Sequence, residues 1–288
     1  MKTNVLNLKQ AILPVAGLFI LAACEKEDAS FNPDAIINVE EIAQNAIIDV
    51  ISDEVDNMVE NVYYIDEQAI LTGKSADVLK ETEGMSYLSD CVIVTTSHTE
   101  VHVEKTLDFG AGCETANGNI LRGMIHFSYE NNMEADSNTI SISFENFYFN
   151  DANIAGEREV VRVRENSNGN PQATITHQIS VTWPDQSVVM REGTKVREWV
   201  EGIHNGIWAD NVYLVTGNRT TTFPSGNVHE GETITPLRRE LSCRFLVSGM
   251  LQLRRNDSGG ILDFGNGSCD NEAVFTSGDG DSKIISLN

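Results

Sequence analysis

The chain has 288 residues and carries 43 Asp and Glu against 20 Lys and Arg, a formal net charge of −23. That balance excludes nucleic acid as a natural partner and disfavours anionic lipid headgroups, because binding either depends on cations that displace counterions. A hydrophobic content of 41% is enough for one large core or two modest ones.

Lys2 and Lys9 open the chain, and Ala11 to Ala22 is an apolar run too short to cross a bilayer as a helix. The run ends in Leu21-Ala22-Ala23-Cys24, which resembles the lipobox of bacterial lipoproteins. The resemblance implies a signal peptide over residues 1–23 and a lipidated Cys24 as the first mature residue. Acyl chains on one cysteine hold a protein on a membrane without a spanning helix. Removing residues 1–23 takes away two lysines and no acid, so the mature chain carries 18 basic and 43 acidic side chains, net −25.

Residues 24–33 read as an acidic tether. Its start, "EKED" (Glu25 to Asp28), is similar to the tag that follows the lipid cysteine in surface-exported Bacteroidetes lipoproteins. The expected location is the outer membrane, lipid-anchored and facing the cell surface, with the periplasmic face as the alternative.

Residues 34–88 form the expected helical segment. Ile36, Val39, Ala43, Ala46, Ile47, Val50, Ile51, Val55, Met58, Val59 and Val62 recur at helical spacing, with acids on the other face. This predicts an amphipathic preface packed on the main body, followed by a shorter helical piece near Ser75 to Leu88.

Over residues 91–288 the apolar period becomes two. "TISISFENFYF" (139–149) and "TITHQISVTW" (174–183) alternate, and "ENSNGNP", "WPDQ" and "FPSGN" supply turn residues between such runs. The fold class is therefore mainly β: an antiparallel β-sandwich or extended β-meander with internal duplication, preceded by the helical segment.

The duplication is visible in "LDFGAGC" (107–113) and "LDFGNGSC" (262–269). In each copy a cysteine closes the phrase and another lies upstream, so the spacing pairs Cys91 with Cys113 and Cys243 with Cys269. Exported proteins use such bridges, and no CxxC or HxxxC spacing supports zinc instead. Leu107 and Phe109 share a face, as do Leu262 and Phe264, and Gly110, Gly112, Gly265 and Gly267 are expected to supply positive φ angles.

Together the lipobox, the helical segment, "CVIVT", "DFGAGC", "RGMIHFSY", "FENFYFND", "SVTW", "GTKVREWVEG" and "DFGNGSC" resemble a group of flavobacterial-type Bacteroidetes outer-membrane lipoproteins with repeated DFGxGC motifs. The resemblance spans nearly the whole chain. It implies location and β architecture and carries no mechanism.

Candidate sites are few. His98, Glu100, His102 and Glu104 alternate along one expected strand, a donor set suited to Zn²⁺, although residues two apart on a strand lie about 6.5 Å from one another. Asp279 and Asp281 in "SGDGDSK" hint at Ca²⁺, but Lys283 stands where a third ligand belongs, so these acids read as turn residues together with Asp108, Asp263 and Asp270. No cofactor is expected beyond those two ions. Trp199 and Trp208 are candidate glycan platforms, Trp199 sharing a face with Arg197 and Glu201. No GxSxG is present, and His126, His177, His204 and His229 have no recognisable partners; His177 falls on the apolar side of its strand and reads as a hydrogen-bonded core histidine. The functional expectation is a non-catalytic lipid-anchored envelope protein with an adhesion, scaffolding or binding role. Its partners would be the membrane, through the lipid, and an extracellular glycan or protein. The alternative is a surface glycan-processing hydrolase or glycan-binding accessory factor.

Overall fold

A computed structural model describes residues 39–83, 86–255 and 258–287. The expected signal peptide, Cys24, the expected tether and Ile36 lie outside the described residues. Two helices come first, α1 (Val39–Thr72) and α2 (Ala76–Glu83). Strands follow: β1 (Ile93–His98), β2 (His102–Asp108), β3 (Cys113–Glu114), β4 (Ile120–Glu130), β5 (Ser137–Phe149), β6 (Ala152–Val163) and β7 (Gln172–Thr182). The second half continues with β8 (Val188–Glu201), β9 (Val212–Thr222), β10 (Val228–Glu240), β11 (Ser248–Arg255), β12 (Ser258–Asn266), β13 (Glu272–Ser277) and β14 (Ser282–Ser286).

The strands form one antiparallel sheet in near chain order, a meander rather than a sandwich; β3 pairs with β4 beside the end of β2. Alternation decides the faces. Along β7, Ala173, Ile175, His177, Ile179 and Val181 are buried while Thr176 and Gln178 are exposed.

Five of the reversals share one geometry, at Thr115–Asn119, Asn166–Asn170, Trp183–Ser187, Phe223–Asn227 and Ser277–Asp281. In each the first N–H donates to the fifth carbonyl, and the fourth N–H donates back to the first. The fourth residue has positive φ and is glycine at 118, 169, 226 and 280, but Gln186 in the third turn, at φ 67°.

The sheet's inner face packs around α1. From Glu41 to Glu67 no residue of the helix is exposed. One apolar cluster joins Ile48, Ile51, Val55, Met58 and Val59 to Leu107, Ile125 and Val181; a second joins Ile42, Ala46, Tyr64 and Ile65 to Trp199, Leu251 and Phe275. Each buried aliphatic side chain contributes about 1.5–3 kcal/mol, so the sheet is held by the helix it covers. The expected amphipathic preface with acids turned outward is thus corrected: Glu41, Glu54, Asp56 and Glu67 are buried, and the helix is the axis of the body.

The two DFG phrases take the same local form. Asp108 Oδ1 accepts the Gly110 N–H at 2.8 Å, and Asp263 Oδ1 accepts the Gly265 N–H at 2.9 Å. Leu107, Phe109, Leu262 and Phe264 are buried. Gly110, Gly265 and Gly267 have positive φ, whereas Gly112 does not, so the expectation for Gly112 is corrected. Disulfides join Cys91 to Cys113 and Cys243 to Cys269, with Cα–Cα distances of 5.6 and 5.3 Å. In the chain-entropy account, closing loops of 22 and 26 residues stabilises by about 3 kcal/mol each.

Candidate functional site

Ion pairs run between α1 and the inner face of the sheet. Asp49, Asp53, Asp56, Glu60 and Glu67 recur on α1 at helical spacing. Opposite them, the inward positions of β6 to β10 carry Arg158, Arg162, Arg191, Lys195, Arg197, Arg219 and Arg239. Asp56 meets Arg158 at 2.5 Å, contacts Lys195, and lies 3.8 Å from Arg197. Arg162 holds Glu60 at 2.9 Å and Glu67 at 3.0 Å. Asp49 accepts both Arg191, at 2.5 Å, and Arg219, at 2.7 Å, while Arg239 reaches Asp53 at 2.5 Å. Unpaired ions at these depths would each cost several kcal/mol, so helix and sheet must arrive with matching charge. Burial opposes ionisation of Asp53, but Arg239, Arg197 and Lys195 outweigh it and hold the carboxyl below its ordinary value. For Glu54 burial wins: it is raised despite hydrogen bonds from Tyr87 and Asn117 and the nearby Arg239.

A cavity of about 80 Å³ opens within this layer, between α1 and the inner faces of β7 to β10. In cross-strand register His177 lies opposite Gly193, and Gly193 opposite Arg219. Arg191 and Lys195 stand two residues to either side of Gly193. His177, Arg191, Lys195 and Arg219 therefore line one side of the cavity, with Asp49, Ser52 and Asp53 of α1 lining the far side. A Cβ on Gly193 would fall 2.4 Å from the Asn218 carbonyl, so the close strand approach needs glycine there. Arg219 folds over Gly231, where an added Cβ would lie 3.1 Å from its Cγ. The remaining wall is apolar, with Val215, Leu237, Phe245, Phe264 and Leu287. Here the β9–β10 register breaks between the pairs Asn218–Glu232 and Val215–Leu237.

His177 corrects one expectation. It is buried, 6% exposed, yet neither ring nitrogen has a hydrogen-bond partner. Burial, together with Arg158, Lys195, Arg191 and Arg219, lowers its pKa to about 2. His126, His204 and His229, by contrast, do have partners. His126 lies against Thr106 and Glu145, His204 against the Tyr64 hydroxyl, and His229 against Glu41 and Asn45.

The other candidate sites fare differently. His98 ends β1 and His102 begins β2, with Glu100 in the turn between them; only Glu104 lies within a strand beside His102. The Thr99 N–H and hydroxyl close that turn on the His102 carbonyl, so the alternation that would align four donors is broken. Among the described residues no group of three or more His, Cys, Asp or Glu side chains converges to hold a metal. Trp199 and Trp208 are 2% and 5% exposed and pack on Tyr64, so the expected glycan platforms are corrected to core residues. Trp199 shares its face with Arg197 as the alternation requires, but that face turns inward to the helix acids. Asp279 and Asp281 sit in the β13–β14 turn.

Outside, a groove of about 750 Å³ runs over β2, β4, β5, β6 and β7, lined by Thr106, His126, Ser141, Ser143, Glu157 and Glu159 among others. Across three strands, Thr106 Oγ1 lies 2.9 Å from His126 Nδ1, and His126 Nε2 lies 3.1 Å from Glu145 Oε2.

Searches against family models, curated proteins and solved structures found no match to this chain.

Proposed function

We propose that this chain is a lipid-anchored cell-envelope protein that binds a ligand without transforming it, consistent with the adhesion, scaffolding or binding role expected from its sequence. The observation that carries this reading is the cavity between α1 and the inner faces of β7 to β10. It offers a preformed, mainly apolar recess with a cluster of cations on one side. The lipobox at Cys24 and two disulfides suit a protein outside the reducing cytoplasm. The test is intact-mass spectrometry of protein extracted from membranes. Acyl mass on an N-terminal Cys24 supports the anchor; an unmodified, soluble chain refutes it. Protease shaving of intact cells then separates the surface from the periplasmic face.

A second reading, a surface hydrolase, is favoured by the Thr106–His126–Glu145 array in the outer groove, where a hydroxyl, an imidazole and a carboxylate follow one another at hydrogen-bond distance. It requires that a hydrolytic activity of the purified protein on ester or glycoside substrates disappear in Thr106→Val. Activity equal in wild type and variant ends it.

A further inference from the structure

The cavity's lining is specific enough to name a ligand class, on the basis that the cavity is the binding site proposed above. Five cations line it, Arg191, Lys195, Arg219, Arg239 and Arg244, against three acids, Asp49, Asp53 and Glu54. Arg191 and Arg219 share the single carboxylate of Asp49, so positive charge is in excess. Two buried donors stand idle: the ring of His177, and the Nε–H of Arg219, whose guanidinium otherwise reaches Asp49. A buried polar group without a partner costs about 1–3 kcal/mol, and an acceptor placed between His177 and Arg219 would relieve that cost. Beyond these donors the wall turns apolar, and the volume exceeds what one water fills.

We propose that the cavity takes a small organic anion, a carboxylate on a short hydrocarbon body. The carboxylate would sit between His177 and Arg219, and the hydrocarbon against Val215, Leu237, Phe245 and Phe264. A bare inorganic anion would leave that wall unused, and an uncharged alcohol would leave uncompensated the extra positive charge where Arg191 and Arg219 share Asp49.

Isothermal titration of the full-length protein with hexanoate, hexan-1-ol and inorganic phosphate tests this. Hexanoate is expected to bind saturably at one site, with the alcohol and phosphate each at least tenfold weaker. Leu246→Trp fills the cavity from its rim without touching a charge and is expected to abolish hexanoate binding. His177→Leu should weaken binding at least tenfold without lowering the thermal midpoint, a combination that mere damage to the fold would not give; if it does not fold, His177→Gln serves as the second variant. Saturable hexanol binding as tight as hexanoate overturns the anion assignment while leaving a binding protein standing. Equal binding of phosphate overturns the amphiphile in favour of a simple anion site. No saturable heat from hexanoate, or undiminished hexanoate binding by Leu246→Trp, overturns the proposal outright. None of these results bears on acylation of Cys24, so the anchor is judged separately.

Discussion

Asp56 and Arg158 meet at 2.5 Å with side chains 2% and 1% exposed, one from the middle of α1 and the other from the inner face of β6. The pair shows how the body is assembled: α1 supplies the anions that the sheet's inward cations require. Removing one partner of a buried pair leaves an uncompensated ion, at a cost of about 3–5 kcal/mol. Asp56→Ala is accordingly expected to lower unfolding free energy in urea by that amount. Adding Arg158→Met to Asp56→Ala should cost less than Arg158→Met alone, because its partner is already gone. Additive costs contradict the pairing.

Gln186 occupies the position that four sister turns give to glycine, at φ 67°. A side chain in the left-handed region is strained by about 1 kcal/mol relative to glycine. Gln186→Gly is expected to stabilise the protein by roughly that amount, read as a higher urea midpoint at unchanged slope. A destabilised variant would show that the Gln186 side chain holds the turn in some other way.

His177 makes stability depend on pH. Burial and its neighbouring cations keep the folded imidazole neutral down to about pH 2, while an unfolded histidine takes up its proton near 6.5. Between those values the unfolded chain binds the extra proton, so stability falls as the pH drops below 6.5. From pH 7 to pH 5 this group alone removes about 2 kcal/mol. His229 and His204, also lowered chiefly by burial, act in the same direction. Glu54, raised by burial, acts in the opposite direction, its contribution being full below its ordinary value of 4.5 and lost as the pH rises through its folded value. His177→Leu is expected to lose about 2 kcal/mol less than wild type over that interval in paired urea titrations. Parallel losses would mean that His177 is protonated, or solvated, in the folded chain.

Trp199 and Trp208 lie in the core, so their emission should be blue-shifted and poorly quenched by acrylamide, and added glycans should leave it unchanged. Saccharide-dependent quenching that is lost in Trp199→Phe would contradict their burial.

Much of the sheet is legible in the sequence. Period-two runs and Gly, Asn and Pro turns locate the strands, and the repeated phrase pairs the cysteines. The helix is misread because the acids of α1, at 49, 53, 56 and 60, trace the same stripe that a solvated face would. The corrective signal lies elsewhere in the chain. On β8, Arg191, Lys195 and Arg197 share the parity of Val189 and Trp199, so a period-two reading that puts those apolar residues inside puts the cations there as well. The cavity is illegible because it lies beside a register break that no local pattern marks. The His98–Glu104 alternation fails because a hairpin turn interrupts it without glycine or proline.

The central claim is that α1 lies inside the sheet, and hydrogen exchange read by mass spectrometry tests it most directly. Peptides covering residues 41–67 should be among the slowest in the protein, exchanging together with β6 to β9 through global unfolding. Exchange of that stretch within seconds, while the strands stay protected, would describe a helix lying on the surface and would contradict the account.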